Sequence, residues 1–391
     1  MENLVPIFLL IPLLGFLANG LVSKSDEQKL SQVTSAMLGV QFLAVLSFTV
    51  AWLISGHDNV YKQWFVMYES AGYHFYVDLY FDEVTAVFLA MGSILAFLIT
   101  TYSRNYLLHE LGYKRFFTTV LFFFLGYNIV VLSGNLTTVL VGWEFVGVSS
   151  FLLIAYYRNR FIPVKNAIKI FSLYRIGDIA LLLSLWFLHQ MVQDQHVTGF
   201  KDLYELVSLS MPHSPMAIGF GICILLAAAI KSAQFPFSAW LPRAMEGPTP
   251  SSAIFYTSLA VHLGVFLLLR TYDFWVHIAV IRNTIIAFGI ISFLLSSFVA
   301  GSQHSIKGQI AYAVVAQVGL MFVEVALGYH WLALIHLFSH AMFRSYQMLI
   351  SPSVVAFSIR RQLVAVTPRR LRSGKWSQWV YNSLYVLSLN E

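Results

Sequence analysis

Runs of about twenty predominantly apolar residues follow one another along most of this chain, each long enough to cross a bilayer's hydrocarbon core as an α-helix. That succession restricts the fold more than any motif inside it. Only 11% of the 391 residues are charged and 58% are hydrophobic, whereas a soluble domain carries roughly 25% charged residues. Too little charge is left to cover a water-exposed surface, so a soluble globule is excluded. The sequence predicts an all-α polytopic membrane protein with about eleven transmembrane helices, near residues 3–22, 31–55, 83–103, 115–133, 136–157, 167–189, 215–242, 247–270, 277–299, 308–327 and 331–350.

Residues 1–22 lack a basic leading stretch and a clear cleavage site, so they are expected to be a first span rather than a signal peptide. The single cysteine, Cys223, lies inside an apolar run, which excludes a disulfide framework and a cysteine-based metal cage. Residues 56–82 alternate aromatic and polar residues as a hairpin does. A short surface helix is expected within 190–214. The formal net charge of +6 reflects loop bias and not nucleic-acid binding. With the N-terminus outside, most of the 24 lysines and arginines fall in cytoplasmic segments, and the outer segments hold Lys62, Lys201, Arg270 and Arg282. An odd number of spans then puts the basic stretch from Arg360 to Lys375 in the cytoplasm, where a docking surface and anionic-lipid binding explain it equally well.

A charge at mid-bilayer costs about 2.5–3.5 kcal/mol on insertion scales, so each one needs a role. Glu144 lies in GNLTTVLVGWEFVGVSSFLLIAYY among apolar and small residues. An ion path is the favoured reading, and a helix-locking glutamate is the alternative. Arg175 and Asp178, three apart in FSLYRIGDIALLLSL, share a helix face and can pair, either structurally or as part of a path. If Glu144 shares that arginine, its charge state becomes switchable.

Lys231 sits in ILLAAAIKSAQFPFSAWLPRAMEGPTPSSA ahead of Pro236 and Pro242, which cannot donate helix hydrogen bonds. The span should therefore break just past the lysine. Broken backbone at membrane depth is tolerated only against protein or a watery cavity. A lysine there suits a proton carrier whose charge a nearby carboxylate toggles, with snorkelling to the surface as the structural alternative. In IHLFSHAMFRSYQ, His336, His340 and Arg344 recur every four residues and line one helix face. That pattern suits a proton relay, with satisfied structural histidines as the alternative. HLFSH lacks the glutamate of HExxH, so no metal is expected. His262 in SLAVHLGVFLL is a candidate for the same row, and Lys307 in HSIKGQIAYAVVAQVGL falls at a cytoplasmic helix end. The chain has no phosphate loop, nucleophile elbow or dinucleotide fingerprint, so no covalent catalysis is expected in it.

At these residues the chain resembles the proton-conducting antiporter-like subunits shared by respiratory complex I (its L-type subunit), Mrp sodium/proton antiporters and membrane hydrogenases. The likeness runs over roughly residues 75–350 and is most specific at KSAQFPFSAWLPRAMEGPTPSSA. GWEFVGVSSFLLI, the RIGD segment, KGQIAYAVVAQVGLM and HLFSHAMFR fall in the family order. The resemblance implies two inverted repeats of about five helices, each with one broken. It implies that Glu144 modulates Lys231, that Asp178 is the acidic neighbour, and that Lys307, His336 and His340 lie on a central hydrophilic axis for protons.

Tyr256 stands where many members have a histidine, with His262 further along, and Arg344 replaces a lysine usual in complex I. In these features IFYTSLAVHLG and HAMFRSYQMLISPSVV look more like the membrane subunit of DAB (MpsAB-like) inorganic-carbon accumulation complexes. The implied organisation is N-terminal helices with an external hairpin segment 56–82 (1–114), a first antiporter-like repeat (115–272), a partial second repeat (273–355) and a basic cytoplasmic tail (356–391). The resemblance implies a bacterial cytoplasmic membrane, no cofactor in this chain, and a large cytoplasmic DabA-like zinc subunit as partner besides membrane lipids. That partner would hydrate carbon dioxide while this chain supplies cation flow. A subunit of a redox-driven pump or multisubunit Na⁺/H⁺ antiporter is the second reading, and a non-conducting membrane anchor the third.

Overall fold

In the computed structural model, which describes residues 1–70, 73–192, 199–200, 214–364 and 375–390, the apolar runs are helices. In chain order they are α1 (Ile7–Leu21), α2 (Glu27–Ile54), α3 (Glu83–Tyr106), α4 (Tyr113–Val131), α5 (Leu136–Ile154), α6 (Phe161–Val192), α7 (Pro215–Lys231), α8 (Thr249–Arg270), α9 (Ala279–Ser302), α10 (Ile306–Ala326), α11 (His330–Val364) and α12 (Lys375–Asn390). Short polar residues start several of them. The side chains of Asp26, Asp82, Asn135, Ser214 and Ser305 accept backbone N–H bonds three residues on, at 2.7–3.1 Å. Each satisfies a helix-start donor that lipid would leave unpaired.

Among the described residues nine helices are long and apolar enough to cross a membrane, fewer than the eleven the sequence suggests. The two that fall short are informative. α7 stops at the break after 17 residues. α11 is long enough, but His330, His336, His340, Arg344 and Gln347 crowd its first five turns. It also runs on through Pro352 to Val364, past the end expected near 350. The expected surface helix in 190–214 falls mostly outside the described residues, as do Arg369, Arg370 and Arg372 of the basic tail. Beyond them a sixteen-residue helix, α12, packs against α9 where no further helix was expected.

Burial sorts the helices. The apolar span of α8 is 94% buried, against 28% for α2 and for α9, so α8 is the central helix and the others wrap it. Two glycine pairs bring neighbouring helices together. A Cβ on Gly142 of α5 would lie 2.7 Å from the Gly126 carbonyl of α4, and one on Gly319 of α10 would lie 2.7 Å from the Gly289 carbonyl of α9. Close backbone approach of this kind is how helices gain packing energy in lipid, where no hydrophobic force drives them together.

Polar residues in the core answer specific backbone needs. Pro12 inside α1 has no N–H to offer the Phe8 carbonyl four residues earlier. Asn128 of α4 donates to that carbonyl at 2.8 Å and Gln41 of α2 at 3.3 Å. One proline thus ties three helices together.

Strands β1 (Val60–Ser70) and β2 (Tyr73–Phe81) form the expected hairpin, paired antiparallel from Val60 opposite Phe81, with register shifts near Gln63 and Val66. Phe81 stacks edge-on against Phe48 and Trp52 of α2, and the Tyr80 N–H bonds the Leu132 carbonyl at 2.8 Å. Arg270, expected in an outer segment, is instead buried at the end of α8. Its guanidinium binds both Asp82 oxygens, at 2.6 and 2.9 Å. Burial alone would raise the Asp82 carboxyl, but Arg270 and the Thr85 hydrogen bonds outweigh it and hold it below the usual carboxylate range.

Candidate ion path

The break after α7 is stabilised by side chains that replace missing backbone bonds. Pro236 cannot donate to the Ser232 carbonyl, which takes the Gln234 amide at 2.9 Å instead. The Trp240 indole donates to the Ile230 carbonyl at 2.8 Å, and the Phe235 N–H donates to Ser292 of α9 at 3.0 Å. Ala233 adopts φ 52°, a left-handed conformation uncommon outside glycine. The chain then makes a single turn, Trp240–Arg243, which contains Pro242. The helix ends at Lys231, where the two prolines place the break.

Lys231 is 2% exposed. Its Nζ donates to the Trp143 carbonyl at 3.3 Å and lies 4.6 Å from the centre of the Trp143 ring and 5.1 Å from that of Tyr174. Such cation–π contacts partly replace lost hydration. Neighbouring residues on α5 and α6 face two ways. Trp143 and Tyr174 meet Lys231, while Glu144 and Arg175 meet each other. Arg175 bridges two carboxylates, with Nη1 2.7 Å from Glu144 and Nη2 2.8 Å from Asp178. Asp178 is the inner carboxylate, its side chain 5% exposed against 34% for Glu144. Lys231 touches neither directly, but Asp178, Glu144 and Arg175 all lie within electrostatic reach of it. The glutamate that the resemblance pairs with the lysine is therefore paired with the arginine.

An aromatic series leads on from the cage. Tyr174 meets Trp240 edge-on at 5.2 Å, Trp240 meets Tyr256 at 6.4 Å, and the Tyr256 hydroxyl donates to the Ser150 carbonyl at 2.9 Å. Tyr256 lies in a π-helical stretch, Ser252–Leu259, followed by a tighter turn, Ala260–His262. Irregular turns of this kind are frequent at functional sites. Here they bring His262 Nδ1 against the Ser258 carbonyl.

The histidines of two helices meet at this point. His262 Nε2 faces His340 Nδ1 at 3.2 Å, and Arg344 Nε donates to His340 Nε2 at 3.3 Å. With neutral rings, these partners fix the protons. A carbonyl only accepts, so His262 carries its proton on Nδ1 and accepts at Nε2. His340 must then donate from Nδ1, which leaves Nε2 to accept from Arg344. Every donor in the chain points from Arg344 toward Ser258.

His336 stands one turn from His340, ring centres 6.1 Å apart, with Nδ1 2.9 Å from Glu324 and Nε2 3.1 Å from Gln317. Lys307 lies apart from this row. Its Nζ donates to the carbonyls of Met245 and Gly247 at 3.3 and 3.4 Å, tying α10 to the loop after the break. No group of three or more His, Cys, Asp or Glu among the described residues is placed to hold a metal ion.

Residues 133–366, which contain every residue of this path, match the family described as NADH:quinone oxidoreductase/Mrp antiporter, TM. The chain belongs to that family. Residues 64–117 match the N-terminal region of chain 5 of NADH-ubiquinone oxidoreductase (complex I). The chloroplast NAD(P)H-quinone oxidoreductase subunit 5 of Lotus japonicus is 36% identical over 281 residues, covering 70% of this chain and 37% of the relative. Chain 5 of the Synechocystis sp. enzyme is 32% identical over 359 residues, covering 90% and 52%. The chain thus spans between about a third and a half of the length of the curated relatives it matches.

Two solved structures share the fold. The Mrp complex of Dietzia sp. has a chain with TM-score 0.76 at 20% identity over 98% of this chain and 45% of that one. The archaeal membrane-bound sulfane sulfur reductase gives 0.72 at 15% identity, covering 98% and 85%.

Within this antiporter-family chain, sequence reasoning located Glu144, Arg175, Asp178, Lys231, His262, His336, His340 and Arg344, and the fold brings them into two clusters. Glu324 and Gln317 were missed, and Arg270 was named but placed in an outer segment. Glu324 was findable, because it is a carboxylate inside the apolar run MFVEVALG, the same signal that marked Glu144.

Proposed function

We propose that this antiporter-family chain is the proton-conducting membrane subunit of a multisubunit complex. Protons are handled at the Lys231 cage, the Glu144–Arg175–Asp178 bridge and the row of His262, His336 and His340, with Lys307 and Arg344 as charged flanks. The carrying observation is Lys231. A buried ammonium costs several kcal/mol, and the helix break does not need it, since Gln234, Trp240 and Ser292 already satisfy the freed groups. A charge kept at that cost without a structural return is kept for function. The relatives it matches, quinone oxidoreductase subunits and a chain of an Mrp complex, support the same reading.

The finer proposal is that the complex accumulates inorganic carbon in a bacterial inner membrane, with the N-terminus outside. A large cytoplasmic DabA-like subunit there holds zinc in a site like that of a β-type carbonic anhydrase. Its support is the sequence likeness around Tyr256, His262 and Arg344. The second reading, a subunit of a redox-driven or multisubunit antiporter complex, is favoured by the curated relatives.

Purification from native membranes in mild detergent, with partner masses and bound metal determined together, separates the two. One large zinc-bearing partner supports carbon accumulation, and flavin- or iron–sulfur-bearing partners overturn it. Lys231→Ala or Glu144→Gln should abolish ion flux with assembly intact. A functional double mutant would sink the proton-path reading.

A further inference from the structure

We propose that Glu324 and His336 form a proton port, the place where the histidine row exchanges protons with the membrane surface at the α10–α11 turn. The proposal rests on the reading of this chain as a proton path, and it gives a role to a carboxylate that neither the family resemblance nor the motifs assign. Glu324 is two residues from the C-terminal end of α10, and His336 is six residues into α11. With a helical rise of about 1.5 Å per residue, both lie within about 10 Å of that turn.

Accessibility is graded along the row. The side chains of Glu324 and His336 are 18% and 21% exposed, whereas His340 is 7% and His262 0% exposed. A path from surface to core needs that order, and a purely structural pair does not. The chemistry fits as well. Both Glu324 oxygens face His336 Nδ1, at 2.9 and 3.2 Å.

When His336 takes a proton, an O–H bond of a surface hydronium breaks and an N–H bond forms on the ring. The resulting imidazolium is balanced by the Glu324 carboxylate, so the pair holds a proton at membrane depth without a net charge. Passing it on breaks that N–H and forms one at His340, across ring centres 6.1 Å apart. The accepting atom is His340 Nε2, which Arg344 covers. Onward transfer therefore waits for Arg344 to withdraw.

The test uses the whole complex in membrane vesicles. The chain has one cysteine, so Cys223→Ser gives a silent background. In that background Glu324→Cys should react with a membrane-impermeant thiol reagent from one face only, opposite to the face that labels Lys307→Cys. His340→Cys should stay unlabelled. Proton flux should fall about 100-fold in Glu324→Gln, the size of a lost acid–base group, and return in part in Glu324→Asp, with normal membrane accumulation of each.

If Lys231→Ala abolishes flux while Glu324→Gln does not change it, or if Glu324→Cys is unlabelled from both faces, the port is overturned and the path stands. If Lys231→Ala leaves flux intact, the path itself falls.

Discussion

His262 Nε2 and His340 Nδ1 lie 3.2 Å apart although 78 positions separate them in the sequence. Their contact joins the irregular turn of the central helix to the polar face of α11, and it orders protons as well as rings. Both histidines should be Nδ1-protonated, a tautomer that nitrogen NMR of the labelled imidazoles distinguishes from the Nε2–H form. Arg344→Met removes the donor at His340 Nε2 but leaves His262 Nε2 accepting from His340 Nδ1, so His340 should stay Nδ1-protonated and populate both tautomers only when His262→Phe is added. A parent protein with Nε2-protonated rings would refute the ordering.

Arg175 bridges two carboxylates at once, so its loss should be as damaging as that of Lys231. Arg175→Gln leaves Glu144 and Asp178 facing each other across an unbalanced site. Proton flux should be lost, as in Lys231→Ala, and the melting temperature of the solubilised protein should fall. Adding Glu144→Gln should recover part of that stability, though not the flux, by removing the surplus negative charge. A double variant no more stable than the single one would mean that the bridge is not what matters.

The Asp82–Arg270 pair fastens the hairpin end to the central helix. Asp82→Asn strands a buried guanidinium and should cost about 3–5 kcal/mol in thermal or denaturant unfolding of the solubilised protein. The Asp82 carboxyl lies below its ordinary value of 3.8 in the folded protein. Its contribution is therefore complete above that value and fades as pH falls through the lower one. The stability gap between parent and variant should shrink at acid pH, and a gap constant with pH would contradict the pairing.

Asn128→Leu should destabilise the α1–α4 contact by about 1–3 kcal/mol, the cost of leaving the Phe8 carbonyl without its shorter donor. Pro12→Ala restores an N–H four residues on. The double variant should regain much of the loss, and an additive penalty would show that Asn128 matters for another reason.

The membrane class, the helix break and most polar residues of the path were legible because lipid makes each of them expensive. A lysine or a proline pair in an apolar run stands out whatever surrounds it. The pairing of those residues was not legible. Nothing in the sequence says that Trp143 rather than Glu144 would face Lys231, since one residue's rotation about a helix decides it. Arg270 was misplaced for a related reason, because a charge at a span's end looks like a loop residue until Asp82 arrives from a distant segment. The extra length of α11 and the presence of α12 were hidden by their polar composition, which hydropathy reads as the end of a span.

The Lys231 cage and the Arg175 bridge have a joint electrical consequence. In their ordinary ionised forms Glu144, Asp178, Arg175 and Lys231 sum to zero, in surroundings where little water screens an imbalance. A proton delivered to either carboxylate makes the whole group cationic, and the imbalance is relieved by releasing a positive charge elsewhere. Such a group is suited to swapping protons one for one and resists accumulating them, so whatever drives this protein has only to tip an electroneutral set.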